Sequence, residues 1–145
     1  MSGFAFAYRL HGGAATHRSL IINDGYTVSE GELVCASTNG TINVATSANG
    51  PAQIWGVCTG TVAETSASYA DVIIDEDAIY AVDDSTARYA GDTLSLDSSQ
   101  GLVTAVASND GSLLVVANTA TTDPTYVMIR QGKHVFNTTT GSRLV

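Results

Sequence analysis

The chain has 145 residues, 14 acidic against six Lys and Arg, and a net charge of −8 near neutral pH. That length suits one domain, able to bury roughly two-thirds of the surface its unfolded form exposes. Helix formers are scarce, with four Glu, one Lys and three Gln against 18 Thr, 14 Val and eight Ile, so the composition excludes a helical bundle and predicts an all-β domain, a barrel or sandwich of short antiparallel strands.

The charges are segregated. All 14 acids lie between Asp24 and Asp123, where Arg88 is the only base, a net of −13; Arg9, Arg18, Arg130, Lys133 and Arg143 flank that stretch with no acid among them. Three segments follow: residues 1–23 as an N-terminal strand or arm, 24–136 as the β body, and 137–145 as a polar C-terminal tail. An acidic body repels phosphates, so nucleic acid is not expected as a partner. No cationic segment precedes a long apolar run at the start, and no run approaches the roughly 18 apolar residues of a membrane span. The chain is therefore expected to be soluble and made in a cytoplasm, with no membrane partner.

In chain order, the first strand candidates are GFAFAYRL (3–10) and RSLII (18–22). The stretch GELVCASTNGTINVAT (31–46) then reads as a hairpin. If Asn39-Gly40 forms a two-residue type I′ turn, opposed positions sum to 79, which places Leu33, Cys35, Ile42 and Val44 on one wholly apolar face, assigned to the core. AQIWGVCT (52–59), ADVII (70–74) and AIYAV (78–82) follow. From Gly91, GDTLSLDSSQGLVTA repeats the order of glycine, acid, apolar strand, polar turn and apolar strand, with its apolar phase shifted by one residue. The shared order suggests an internal duplication. SLLVVAN (112–118), YVMIR (126–130) and KHVF (133–136) complete the set, punctuated by turns such as Asp83-Asp84 and Asp123-Pro124.

Residues able to do chemistry are few and unclustered. His11, His17 and His134 stand in no activating motif and are read as surface histidines. Asp75-Glu76-Asp77 and Asp83-Asp84 make the best cation candidate, but the middle glycine and closing glutamate of a calcium loop are missing, so they are read as solubilising loop tips. Cys35 and Cys58 lack the spacing of a zinc site and are read as buried thiols, with a Cys35–Cys58 bridge as the alternative. Trp55 is assigned to the core. No catalytic residue, cofactor or metal ligand is expected, and the chain is not read as an enzyme.

The succession Gly31-Glu32-Leu33-Val34, Asn39-Gly40-Thr41-Ile42, Ile54-Trp55-Gly56-Val57, Ala78-Ile79-Tyr80-Ala81-Val82, Gly91-Asp92-Thr93-Leu94 and Tyr126-Val127-Met128-Ile129-Arg130 resembles the small capsid decoration, or cement, proteins of tailed bacteriophages. The likeness spans residues 24–136; the N-terminal FAFAYRLHGGAATHRS has no match in it. The resemblance implies a compact β domain, often a homotrimer, that binds the major capsid protein on the outer surface of the virion, is synthesised in the host cytoplasm and carries no cofactor. Two readings of the basic ends follow. Arg9, Arg18 and Arg130 offset the charge of the body, or the ends, with Lys133 and Arg143, reach as arms toward an acidic patch on a partner. A carbohydrate-binding or adhesin module of a phage tail is the competing class, which would need Trp55 and tyrosines displayed together on one face.

Overall fold

The computed structural model describes residues 3–23, 25–46, 53–63, 68–96, 102–104, 112–121 and 124–129. β-Branched and aromatic residues between glycine and acid turns form two antiparallel sheets. The larger consists of β1 (Phe4–Arg9), β9 (Ala78–Val82), β13 (Thr125–Ile129), β12 (Leu113–Val115), β10 (Thr93–Leu96) and β11 (Leu102–Thr104), in that order across the sheet. The smaller runs β2 (His17–Ile21), β8 (Tyr69–Ile73), β6 (Ile54–Cys58), β4 (Leu33–Ala36) and β5 (Ile42–Val44). A two-residue pair, β3 (Thr27–Val28) and β7 (Val62–Ala63), lies apart from both. The domain is all-β, as its composition requires.

The sheets pack face to face over one core. Leu33, Cys35, Ile54, Val57 and Ile73 of the smaller sheet meet Phe4, Tyr80, Leu94, Leu96, Leu113 and Val127 of the larger. The opposite face of the smaller sheet buries a second cluster: Leu20, Ile22, Val28, Val34, Ile42, Cys58 and Val72. A parallel bridge between Ile22 and Ile42 draws the end of β2 to the start of β5, so this sheet curls around its own cluster. Being covered on both faces, it needs apolar residues at successive positions, which removes the in–out alternation along β4.

That double coverage corrects the predicted hairpin register. The observed pairs are Val34 with Val44, Cys35 with Asn43 and Ala36 with Ile42, which sum to 78. Asn39 (φ 55°, ψ 35°) and Gly40 (φ 78°) do form a left-handed turn closed by Thr41 N–H on the Thr38 carbonyl at 3.1 Å. Ser37 N–H, however, also donates to the Thr41 carbonyl at 2.8 Å, so Ser37 and Thr38 together oppose Thr41. This bulge inserts one residue and moves one strand to the other face. Leu33 and Cys35 therefore stay in the inter-sheet core, whereas Ile42 and Val44 pack in the second cluster. The two cysteines fall on opposite faces of one sheet as free, buried thiols, which leaves the bridge unformed.

The suspected duplication is geometric. In the turns Ser29–Glu32 and Tyr89–Asp92 the third residue is a glycine at φ 85° or 95°, where an L side chain would be strained. In both, the fourth residue's N–H bonds the first carbonyl, and its carboxylate accepts the first N–H: Glu32 Oε1 from Ser29 at 2.6 Å, Asp92 Oδ2 from Tyr89 at 3.0 Å. The second N–H of each finds a side-chain oxygen across the turn, Thr61 Oγ1 at 3.1 Å or Asn118 Oδ1 at 2.9 Å. Gly31 and Gly91 then bond the carbonyls of Cys58 and Val115. Val28 pairs with Val62 where Arg88 pairs with Thr119. The order β2-β8-β6-β4-β5 is thus repeated as β9-β13-β12-β10-β11, with β1 added outside β9. The repeat explains the shifted apolar phase. Val72 and Cys58 face the second cluster, while Val127 and Val115, which hold the equivalent places, face the inter-sheet core. The sheets therefore stack front to back.

Candidate interaction surfaces

The end of the sandwich where β1 meets β9 gathers most of the described charge contacts. β1 carries Arg9 opposite Ala78, one residue beyond the buried Asp77. Arg9 Nε donates to Asp77 Oδ1 at 2.9 Å and stands 3.6 Å from Asp75. His11 adds its backbone N–H and its ring Nδ1 at Asp77 Oδ2, both at 3.1 Å, and Thr16 N–H bonds Asp75 Oδ2 at 2.6 Å. Burial pushes the Asp77 carboxyl up, but the His11 N–H and the Arg9 guanidinium outweigh it and hold the group below the ordinary aspartate value. Asp75 and Asp77 thereby pin the 10–16 loop to the strand turn; they are not free solubilising tips. His11 itself stays 84% exposed at its side chain and bonds no hydroxyl or thiol among the described residues.

Arg88, the lone base of the acidic stretch, is 4% exposed. Its Nε meets Asp84 Oδ2 at 2.6 Å and one terminal nitrogen meets Oδ1 at 3.4 Å, while Thr125 Oγ1 donates to the same carboxylate at 3.4 Å. A buried ion pair thus fills the place that Val28 holds in the first repeat. Nothing in the spacing of Asp84 and Arg88 separates a buried pair from an exposed one, so the sequence reading missed it.

The other predicted contact residues divide. Arg18, exposed on β2, lays its guanidinium 5.7 Å from the centroid of the half-buried Trp55 ring, a cation–π distance. Trp55 packs at the margin of the second cluster with one ring face under Arg18. His17 is exposed at the start of β2. Arg130, Lys133, His134 and Arg143, with the KHVF strand and the 137–145 tail, lie outside the described residues. Tyr8, Tyr26, Tyr69 and Tyr89 are exposed but sit on different elements.

A groove of about 260 Å3 opens between β1 and the smaller sheet, lined by Phe4, Phe6, Gly31, Val57, Thr59 and Ile73 among others, with Glu30 at its rim. Its walls are mostly apolar side chains and backbone. Among the described residues, no three His, Cys, Asp or Glu side chains converge to hold a metal ion. Burial pushes the Cys58 thiol beside the groove up, and the charges of Glu32, Asp71 and Glu30 push the same way, so it stays a poor nucleophile at neutral pH.

These features define a class: a two-sheet all-β sandwich with clasped turns, internal ion pairs and an apolar groove. No family model and no curated protein sequence matches the chain. Among solved structures, it is similar in fold to the N base of the head fiber gp8.5 of bacteriophage phi29, with a TM-score of 0.52 and 13% sequence identity over 79% of this chain and 95% of that one.

Proposed function

We propose that this chain is a structural protein of a tailed-phage virion that binds the outer surface of the assembled capsid and stabilises it. The observation that carries the reading is that the fold spans nearly the whole of a phage head fiber base domain. The internal construction supports it. Duplicated turns, each fastened by its own carboxylate and by a side chain across the turn, hold the surface loops in place, and rigid loops lose little entropy on docking. A decoration protein acts by linkage: it binds the major capsid protein only in the finished lattice, so each bound copy stabilises that lattice by mass action, and many copies multiply a modest contact energy. No chemistry is required of the side chains.

The tail-adhesin reading needs a bare aromatic platform. Trp55 has one ring face under Arg18, and the exposed tyrosines lie on separate elements, so that reading gains no support from geometry. The test is binding to shells: purified chain is mixed with expanded phage capsids lacking it, and occupancy and shell melting are measured. Saturable binding with a raised shell melting temperature supports the proposal. Binding to host-cell glycans with none to shells would replace it with the adhesin.

A further inference from the structure

The repeat that relates the two sheets leaves β1 without a counterpart. Arg18 stands opposite Val72 as Tyr80 stands opposite Val127, so Ser19 holds the place of Ala81 and Leu20 that of Val82. On the far side of β9 those places are paired, with Ala5 of β1 beside Ala81 and Phe4 beside Val82. On the far side of β2 no described strand stands. Two bonds fix the direction of its peptide groups. Ile22 N–H donates to the Ser68 carbonyl at 2.9 Å, and the Thr16 carbonyl accepts from Ile74 N–H at 3.1 Å, so the even-numbered residues between them face β8. Peptide groups alternate along an antiparallel strand, and His17 and Ser19 therefore turn both N–H and C=O outward. The open length ends at the Ile22–Ile42 bridge, where β2 closes on β5.

We infer that this edge receives an extended, acid-bearing segment of the shell protein, added to the smaller sheet as β1 is added to the larger; the inference rests on the capsid reading. The edges at β1 and β5 are less suited to such pairing. At β1 a bulge lies between Phe6 and Tyr8, and the Gly31 carbonyl takes the Phe4 N–H; at β5 the Asn43 side chain takes the Val44 N–H. β2 carries neither device. Its five pairs with β8 run without a bulge, and its sequence, HRSLI, holds no proline. Arg18 does not block the edge, because its guanidinium leans inward over Trp55 of β6, two strands away. That cation sets the chemistry of the occupant. Arg18 is exposed and has no carboxylate partner among the described residues, whereas residues 24–123 carry a net −13. An acidic segment is repelled by most of this body and attracted at β2, which selects both the place and the direction of approach.

The test uses the full chain and expanded shells that lack it. His17→Pro and Ser19→Pro each remove an outward N–H and leave the bonds to β8 in place, a substitution that edge strands tolerate. Both variants are expected to keep the parent's circular dichroism and to bind shells roughly tenfold or more weakly. Arg18→Ala is expected to flatten the fall of binding with rising salt, since the screened attraction is gone. Hydrogen exchange gives a readout that needs no variant. The amides of His17, Ser19 and Ile21 should exchange fast in the free chain and slowly on the shell. Folded proline variants that bind as tightly as the parent overturn the inference and leave the capsid reading standing, as does bound parent whose three amides still exchange fast. Arg18→Ala with the parent's salt dependence overturns the acidic occupant. A parent chain that binds no shell overturns the capsid reading and this inference together.

Discussion

Removing one partner of the Arg88–Asp84 pair tests the energetic reading of the second repeat. Arg88→Met keeps an unbranched, apolar side chain in the space of the arginine stem but withdraws the charge. Asp84, whose side chain is 8% exposed, then keeps only Thr125 Oγ1 at 3.4 Å and the Thr86 N–H at 3.3 Å as described donors. Breaking a buried pair on one side costs about 3 to 5 kcal/mol, since the remaining carboxylate is desolvated without its counter-charge. Domains of this size have only about 5 to 15 kcal/mol in total, so urea unfolding should show a large fall in midpoint at unchanged slope. The double variant Arg88→Met with Asp84→Leu should recover part of the loss, because the equivalent place in the first repeat is held by Val28 without a charge. A single-variant cost below about 1 kcal/mol would refute the reasoning, as would a double variant less stable than either single.

Ile42→Ala should cost about 2 to 5 kcal/mol in thermal or urea unfolding, because the side chain is fully buried in the second cluster. Gly56→Ala should sharply reduce folded yield, since a Cβ there would collide with the Ile73 carbonyl oxygen, a backbone atom that cannot swing aside. Asp77 is held below its usual 3.8 in the folded chain, so its contribution is fully present above that pH and lost as pH falls through the lower folded value. The unfolding midpoint of Asp77→Asn should accordingly depend less on pH below about 4 than that of the parent. Burial raises both Cys35 and Cys58, so a thiol reagent at pH 8 should label neither in the native chain and both in denaturant.

Much of the architecture was legible in the pattern of residues. AIYAV is β9 to the residue, and ADVII, AQIWGVCT and RSLII locate β8, β6 and β2 within a residue or two. The two-residue strands β3 and β7 were missed, because Thr27–Val28 and Val62–Ala63 are too short for any period to show. The hairpin face was misassigned for a different reason. Leu33 and Cys35 face one core and Val34 and Ile42 the other, so either register buries apolar residues, and periodicity cannot choose between them. The bulge at Ser37 and Thr38 decides it, and no residue there announces one. The glycine-acid openings at Gly31 and Gly91 were visible as a repeat, but the reason for the acid, its bond to the N–H three residues back, came only from the structure. The contacts of Arg9 were equally hidden, because Asp77 lies 68 positions along the chain.

The central claim is that this chain coats an assembled phage shell, and co-sedimentation with intact particles tests it most directly. Purified chain is added to expanded capsids that lack it, pelleted, and quantified per shell at low and physiological salt. The account predicts saturation at a fixed number of copies per capsid subunit, absent with unassembled capsid protein, and a rise in the temperature at which the shell opens. Chain that stays in the supernatant at every ratio, or that binds without moving the opening temperature, would contradict it.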